Sequence, residues 1–221
     1  MKINNNIPKR FIRIWFGGIM KIPLVFEEWW QLFKEIHPDY EFITITDWSL
    51  LELTPELKTI INKVDSYAGI SDIARLLALY QIGGIYVDTD MKPLKSFDLL
   101  VNSNKPFLGK RSSKSFESAV IGSPKNHIAI KEVIEALPEW FYNHIGRSAS
   151  VQTGPAFISS VLFGRKDVTH LESNIFYPYN GFGAPKRSEK IEMFESNNFP
   201  KEMIAAHFSN HRWGGKPKEK V

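Results

Sequence analysis

At 221 residues the chain is long enough for one substantial domain and too short for two. Its 43% hydrophobic and 13% aromatic content can fill a packed core, which excludes a disordered chain, and the absence of cysteine excludes disulfides, a thiolate nucleophile and a zinc–thiolate centre. A net charge of +4 suits a phosphorylated substrate or an anionic membrane face, while the lack of a recognisable binding module speaks against nucleic acid.

No apolar run approaches the length of a bilayer span, and MKINNNIPKR has no hydrophobic signal core. A cytoplasmic protein, with peripheral contact to the inner membrane face as the alternative, is therefore expected. Residues 7–15 (IPKRFIRIW) alternate in part and predict a first strand, followed by Phe16-Gly17-Gly18. Glycines there let a backbone come close to a nucleotide; a plain turn after a core strand needs them equally. Residues 24–36 place Phe26, Trp29, Trp30 and Phe33 on one side of an amphipathic helix stopped by Pro38, and such a stripe reads as core. Residues 40–46 (YEFITIT) predict a second strand. Short helices are expected over 49–53 and 55–64, where Pro55 suits a first turn.

The most informative stretch is 71–97, SDIARLLALYQIGGIYVDTDMKPLKSF. Residues 71–82 are apolar on nearly every side, which marks a buried helix, yet they include Asp72 and Arg75 on one face. Buried charges must be paired or face a polar cleft. Gly83-Gly84 can end the helix, and Ile85-Tyr86-Val87 has strand composition. Strand alternation would set Asp88 and Asp90 on one side with Thr89 opposite. Two converging carboxylates repel unless a cation or a shared proton offsets them. Oxygen ligands of this kind suit Mg2+ or Mn2+ held beside a diphosphate.

Further on, residues 105–110 and 118–122 predict a strand pair joined by RSSKSFE, and 126–137 a helix ended before Pro138. Residues 140–145 predict one further helical turn. Thr153-Gly154-Pro155 opens an apolar helix over 156–163, where free backbone N–H groups could meet an anion or a hydroxyl, or simply cap the helix. Residues 174–187, rich in aromatics, Gly and Pro, predict a loop of the kind that touches substrate. A last strand is expected over 203–207, leading into HFSNHRW and a basic tail over 214–221. No repeat or linker divides the chain, so residues 1–213 read as one domain.

SDIARLLALYQIGGIYVDTDMKPL resembles the DXD-containing sugar transferases of glycosyltransferase family 32, which include capsule and mannosyltransferase enzymes. More remotely it resembles the glucosylating domain of large clostridial toxins. The resemblance implies a GT-A type α/β domain, a mostly parallel mixed sheet flanked by helices. It implies transfer of a hexose, with retention, from a nucleotide sugar (UDP favoured over GDP) to a glycan or lipid-linked glycan acceptor. Carried over residue by residue, Asp90 binds Mn2+ or Mg2+ and Asp88 touches the ion or the donor ribose. Asp72 and Arg75 hold sugar hydroxyls, with Arg75 near the developing charge, and Thr153 and Gly154 lie beside the sugar. Trp15, with Gly17 and Gly18, matches the neighbourhood of the base, although Ile12 and Arg13 stand where many relatives have His and Gln. At the C-terminal end His207 and Trp213 match an H-x5-W pattern, with Arg212 in place of a Ser. His207 or His211 would be a third metal ligand and Trp213 a phosphate contact. Two rival readings are a phosphotransferase whose strand also ends in DxD, disfavoured by Lys92-Pro93 after the motif, and a non-catalytic nucleotide-sugar or polyanion binder.

Overall fold

The computed structural model describes residues 6–17, 21–177 and 187–209; the tail 214–221 lies outside them. The strands in chain order are β1 (Arg10–Ile14), β2 (Glu41–Ile45), β3 (Gly84–Val87), β4 (Met91–Pro93), β5 (Phe107–Ser112), β6 (Ser115–Ser123), β7 (Thr169–Leu171) and β8 (Ala205–His207). The helices are α1 (Leu24–Ile36), α2 (Pro55–Lys63), α3 (Tyr67–Gln81), α4 (Asp98–Val101), α5 (Ile128–Asn143), α6 (Ala149–Gln152), α7 (Pro155–Leu162) and α8 (Arg187–Ser196). The main sheet has the order β2-β1-β3-β6-β5-β7. β1 is parallel to β2 and β3, β6 is antiparallel to β3 and β5, and β7 is parallel to β5. This is the expected mixed, mostly parallel α/β sheet. β4 and β8 form a separate antiparallel ribbon.

Side-chain alternation along the central strands builds a core on each face of the sheet. Ile12, Ile14 and Tyr86 pack with α2, α3, α5 and α7 through residues such as Ile60, Leu77, Leu137 and Phe157. Phe11, Ile85 and Val87 point the other way and meet Trp30 and Phe33 of α1 with Phe97 and Phe176. The aromatic stripe of α1 is thus core, as its spacing predicts. Among the described residues no helix is long and apolar enough to cross a membrane.

Several boundaries differ from the sequence reading. No helix forms over 49–53, where the Asp47 carboxylate accepts the Ser49 N–H (2.8 Å) and favours a turn. α3 starts at Tyr67 and not at 71, because the Ser66 hydroxyl caps it by accepting the Gly69 N–H (3.0 Å). α5 runs through Pro138 instead of ending before it. The proline withholds one helical hydrogen bond, but Val133, Leu137 and Phe141 keep one face buried on both sides of it. β4, β7, α4 and α6, each of three or four residues, are too short to leave a periodic pattern.

His37 closes the layer beneath the sheet. It is 1% exposed. Its Nδ1 lies 2.9 Å from the Phe33 carbonyl and its Nε2 accepts the Phe97 N–H at 3.0 Å, so the neutral ring carries its proton on Nδ1. Burial lowers its pKa, against the opposing pull of the Phe33 carbonyl and Asp98. Because the folded value lies below the unfolded value of about 6.5, this stabilisation is complete above that pH and is lost as the pH falls through the folded value. Melting temperature is therefore expected to fall between pH 7.5 and 5. A His37→Gln variant is expected to lose ~1–3 kcal/mol at pH 7.5, the cost of disturbing a buried hydrogen bond, and to decline less steeply. Equal slopes in the two proteins would place the pH sensitivity elsewhere.

Candidate active site at the Asp88–Asp90 turn

The site begins with backbone geometry. Gly83 and Gly84 have φ of +76° and +124°, a region that side chains resist. A Cβ on Gly84 would lie 2.7 Å from the Arg10 carbonyl. Two glycines therefore let α3 end and β3 start tight against β1, as the double-Gly stop predicts. β3 ends at Val87, and residues 88–90 form a turn closed by the Met91 N–H on the Asp88 carbonyl (3.1 Å). The two carboxylates converge through this turn and not by strand alternation. Thr89 is accordingly not opposite them: it lines the same cavity and its hydroxyl donates to the Ile14 carbonyl (3.3 Å).

From the turn the chain enters β4, which pairs with β8 so that Met91 stands opposite His207. His207 Nε2 lies 3.1 Å from Asp90 Oδ1 and 3.5 Å from Asp88 Oδ2. One ligand atom from each of the three residues falls within 4.8 Å of the others. Burial alone would lower the His207 pKa, but the charge and hydrogen bond of Asp90, with Asp88 behind it, raise it overall. A protonated ring and a divalent cation are thus alternative ways to neutralise the same pair of carboxylates. The donor set of two carboxylate oxygens and one imidazole nitrogen fits a first-row divalent ion.

α3 supplies the second charged group, and both its members are buried. Arg75 Nη2 lies 3.0 Å from Asp72 Oδ1 and Nη1 lies 3.4 Å from Asp88 Oδ1. Nη1 also donates to the Ser118 carbonyl (2.6 Å), Nε to the Ser71 carbonyl (3.3 Å), and the guanidinium stands 4.4 Å above the Tyr86 ring. The Tyr86 hydroxyl donates to Asp88 Oδ1 (2.6 Å). Burial pushes the Asp72 carboxyl up to about 6, against the pull of Arg75. Burial also works against the Arg75 charge, but Tyr86, Asp72 and Asp88 outweigh it and the pKa is raised.

These groups face one cavity of about 820 Å³. Trp15 and Gly17 line it with Asp72, Arg75, Asp88, Asp90 and His207, so seven residues singled out in the sequence meet in one place. A Cβ on Gly17 would come within 2.8 Å of Trp15 Nε1, so this glycine makes room for the indole itself. Thr153 and Gly154 stand behind Asp72 and do not line the cavity. The Thr153 hydroxyl lies 3.1 Å from Asp72 Oδ2, and a Cβ on Gly154 would press on the same oxygen at 2.8 Å. Both backbone N–H groups donate to the Ala149 carbonyl, which leaves neither free for an anion. Gly18, His211 and Trp213 lie outside the described residues. Sequence reasoning missed Arg111 and Glu117 on the β5–β6 hairpin, both of which line the cavity. The signal was there: Glu117 is the one charge in the apolar strand SFESAVIGS.

Residues 26–107 match the family model described as the glycosyltransferase sugar-binding region containing the DXD motif. Inositol phosphoceramide mannosyltransferase 3 of Schizosaccharomyces pombe is 31% identical over 134 residues, 58% of this chain and 37% of that protein. Toxin B of Clostridioides difficile is 31% identical over 140 residues, 63% of this chain and 5% of the toxin. Lactosylceramide 4-alpha-galactosyltransferase of Homo sapiens is 27% identical over 155 residues, 66% of this chain and 42% of that enzyme. The chain spans less than half the length of each of these relatives. Among solved structures, the PaToxG glycosyltransferase superposes with a TM-score of 0.55 at 21% identity, covering 72% of this chain and 68% of that one. The UDP-bound glycosyltransferase domain from the YGT toxin gives 0.55 at 11%, covering 76% and 80%. The resemblance read from the central stretch is borne out, and the fold is the GT-A fold it implied.

The Arg75 geometry makes a stability prediction. A lysine presents one point charge and cannot serve Asp72, Asp88 and two carbonyls from a planar fork. Arg75→Ala is expected to lose ~3–5 kcal/mol, the scale for breaking a buried ion pair, and Arg75→Lys most of that. Denaturant unfolding of both variants checks this, and a lysine variant as stable as the parent would refute the multidentate role.

Proposed function

We propose that this chain, which carries a DXD-containing glycosyltransferase sugar-binding region on a GT-A fold, is a metal-dependent, retaining hexosyltransferase. It takes a nucleotide sugar, UDP-linked in preference to GDP-linked, and glycosylates a hydroxyl of a glycan or lipid-linked glycan in surface polysaccharide or capsule synthesis. The observation that carries this reading is the convergence of Asp88, Asp90 and His207 within 4.8 Å, beside Arg75, in a cavity of about 820 Å³. That volume lies within the range of sites that enclose small ligands. UDP in the structure of the YGT toxin domain supports the choice of base. The ceramide-linked acceptors in the names of two relatives support a lipid-linked acceptor.

Each residue has a role on this reading. Asp88, Asp90 and His207 would hold the ion, and the imidazole nitrogen favours Mn2+ over Mg2+, which prefers oxygen ligands. A bound divalent cation supplies positive charge to a diphosphate leaving group. Arg75, anchored by Asp72 and Ser118, presents a fixed positive charge toward the same leaving group without having to reorganise. Tyr86 fixes the Asp88 carboxylate through its hydroxyl. The partly buried Trp15 offers the base a flat apolar face.

Purified protein is expected to hydrolyse or transfer a member of a UDP- and GDP-sugar panel only with Mn2+ or Mg2+, with reversible loss in EDTA. Asp90→Asn keeps the shape and removes the charge, so its rate is expected to fall by ~10²-fold or more while the fold survives. Full activity without metal, or an undiminished Asp90→Asn rate, would falsify the metal–diphosphate reading.

Trp15→Ala separates base from sugar. It is expected to weaken free nucleotide and nucleotide sugar alike by ~1–3 kcal/mol, the scale of one base stacked on an aromatic ring. Unchanged nucleotide affinity by calorimetry would leave Trp15 a wall residue only.

A further inference from the structure

Glu117 carries a role that the reading above does not assign. It stands on β6 one residue before Ser118, whose carbonyl anchors Arg75, and it lines the cavity. Its side chain is only 20% exposed. Among the described residues its ion pair is with Arg111 Nε at 3.3 Å, and Arg111 is itself 56% exposed. No hydrogen bond to the Glu117 carboxylate is formed among the described residues. A mostly buried carboxylate tied so loosely is unfavourable, the more so in a cavity that already holds Asp72, Asp88 and Asp90. Stability alone would favour a neutral residue on this otherwise apolar strand. Perturbed, under-satisfied acids of this kind concentrate where a ligand completes their bonding.

The chemistry of the ligand follows from the chemistry of the group. A carboxylate only accepts hydrogen bonds, up to about four of them, and it repels a diphosphate. It therefore suits a neutral part of the substrate that is rich in O–H donors. We infer that Glu117 is a sugar-binding residue of this site: it accepts hydroxyl hydrogen bonds from the hexose being transferred, and Arg111 gives up its place to those hydroxyls and turns to solvent. The inference rests on the nucleotide-sugar reading above and names the side chain that tells a nucleotide sugar from the bare nucleotide.

The test compares two ligands in each variant by calorimetry, with Mn2+ present and no acceptor: the free nucleotide (UDP, GDP) and its sugar conjugates (UDP-glucose, UDP-galactose, GDP-mannose). Glu117→Ala is expected to weaken the conjugate about tenfold, the scale of a charged hydrogen bond, and the nucleotide by less than about twofold. Glu117→Gln keeps one carbonyl acceptor and is expected to fall between the parent and Ala. Arg111→Ala is expected to leave both affinities within about twofold, because the arginine is displaced anyway. Equal losses for nucleotide and conjugate would mean a general charge effect on the metal and overturn the inference. So would an unchanged conjugate affinity, or an Arg111→Ala loss that matches Glu117→Ala, the mark of a purely structural ion pair. If Glu117→Ala fails to bind nucleotide and melts early, the near-isosteric Gln variant decides by the same ratio. If the parent protein binds no nucleotide sugar with Mn2+, the nucleotide-sugar reading itself fails, and this inference with it.

Discussion

The Arg75 guanidinium, carried on a helix that is apolar almost all round, ties together groups from three separate elements: Ser71 and Asp72 on α3, Ser118 on β6 and Asp88 after β3. A buried positive charge is tolerable only when surrounded in this way. The requirement runs in both directions. Asp72 needs Arg75, and Thr153 and Gly154 are shaped around Asp72. The start of α7 is therefore positioned by a charge pair on α3, and Pro155, its first residue, lines the cavity. Burying a charge pair against the central strands β3 and β6 costs desolvation that an apolar pair would avoid, so its presence is best explained by the cavity it faces.

The corner where Asp88, Asp90 and His207 meet depends on a second, longer-range constraint. Asp90 and His207 are 117 positions apart, and they meet because β8 returns to pair with three-residue β4. A ribbon that short is not stable alone. Its support is aromatic: Phe26 and Trp29 of α1 pack with Phe194, Met203 and Ala206, and the Phe208 N–H donates to the Asp90 carbonyl at 3.0 Å. The aromatic stripe of α1 thus has two parts. Trp30 and Phe33 belong to the core beneath the sheet, while Phe26 and Trp29 hold down the segment that carries His207.

What could be read from the sequence follows from this division. The buried helix, its Asp72–Arg75 pair, the double glycine and the DxD lie within 19 residues, so local spacing and burial logic were enough to bring them together. The individual strands and the core role of α1 were legible from alternation and helical periodicity, whereas the mostly parallel arrangement of the sheet came from the family resemblance. The turn at residues 88–90 was not, because strand alternation gives the same proximity of carboxylates by a different geometry. His207 needed the family pattern, since nothing local links it to Asp90. Glu117 was passed over for a simpler reason: the predicted strand began one residue later, at 118, so the single charge on it was read as part of the loop. The family resemblance placed Thr153 and Gly154 beside the sugar, and the Thr-Gly-Pro turn by itself left open free N–H groups or a plain cap; the short helix α6, too brief to predict, occupies those donors.

Charge balance joins the two halves of the site. Four carboxylates, Asp72, Asp88, Asp90 and Glu117, face two guanidinium groups and one imidazole around the cavity. With His207 protonated, the cavity remains negative, and a diphosphate approaching it would be repelled. A divalent cation held by Asp88, Asp90 and His207 would cancel that excess, even though His207 must give up its proton to become a ligand. On the proposed reading the ion and the diphosphate therefore support one another: each reduces the cost of the other in a partly dehydrated space where charges interact strongly. The same argument explains why the excess is carried by carboxylates on a turn and a strand and not on α3. Asp72 is already matched by Arg75 within its own helix, so on the proposed reading the groups that would recruit a cation and a polyhydroxylated ligand are those at the open side of the pair, Asp88, Asp90 and Glu117.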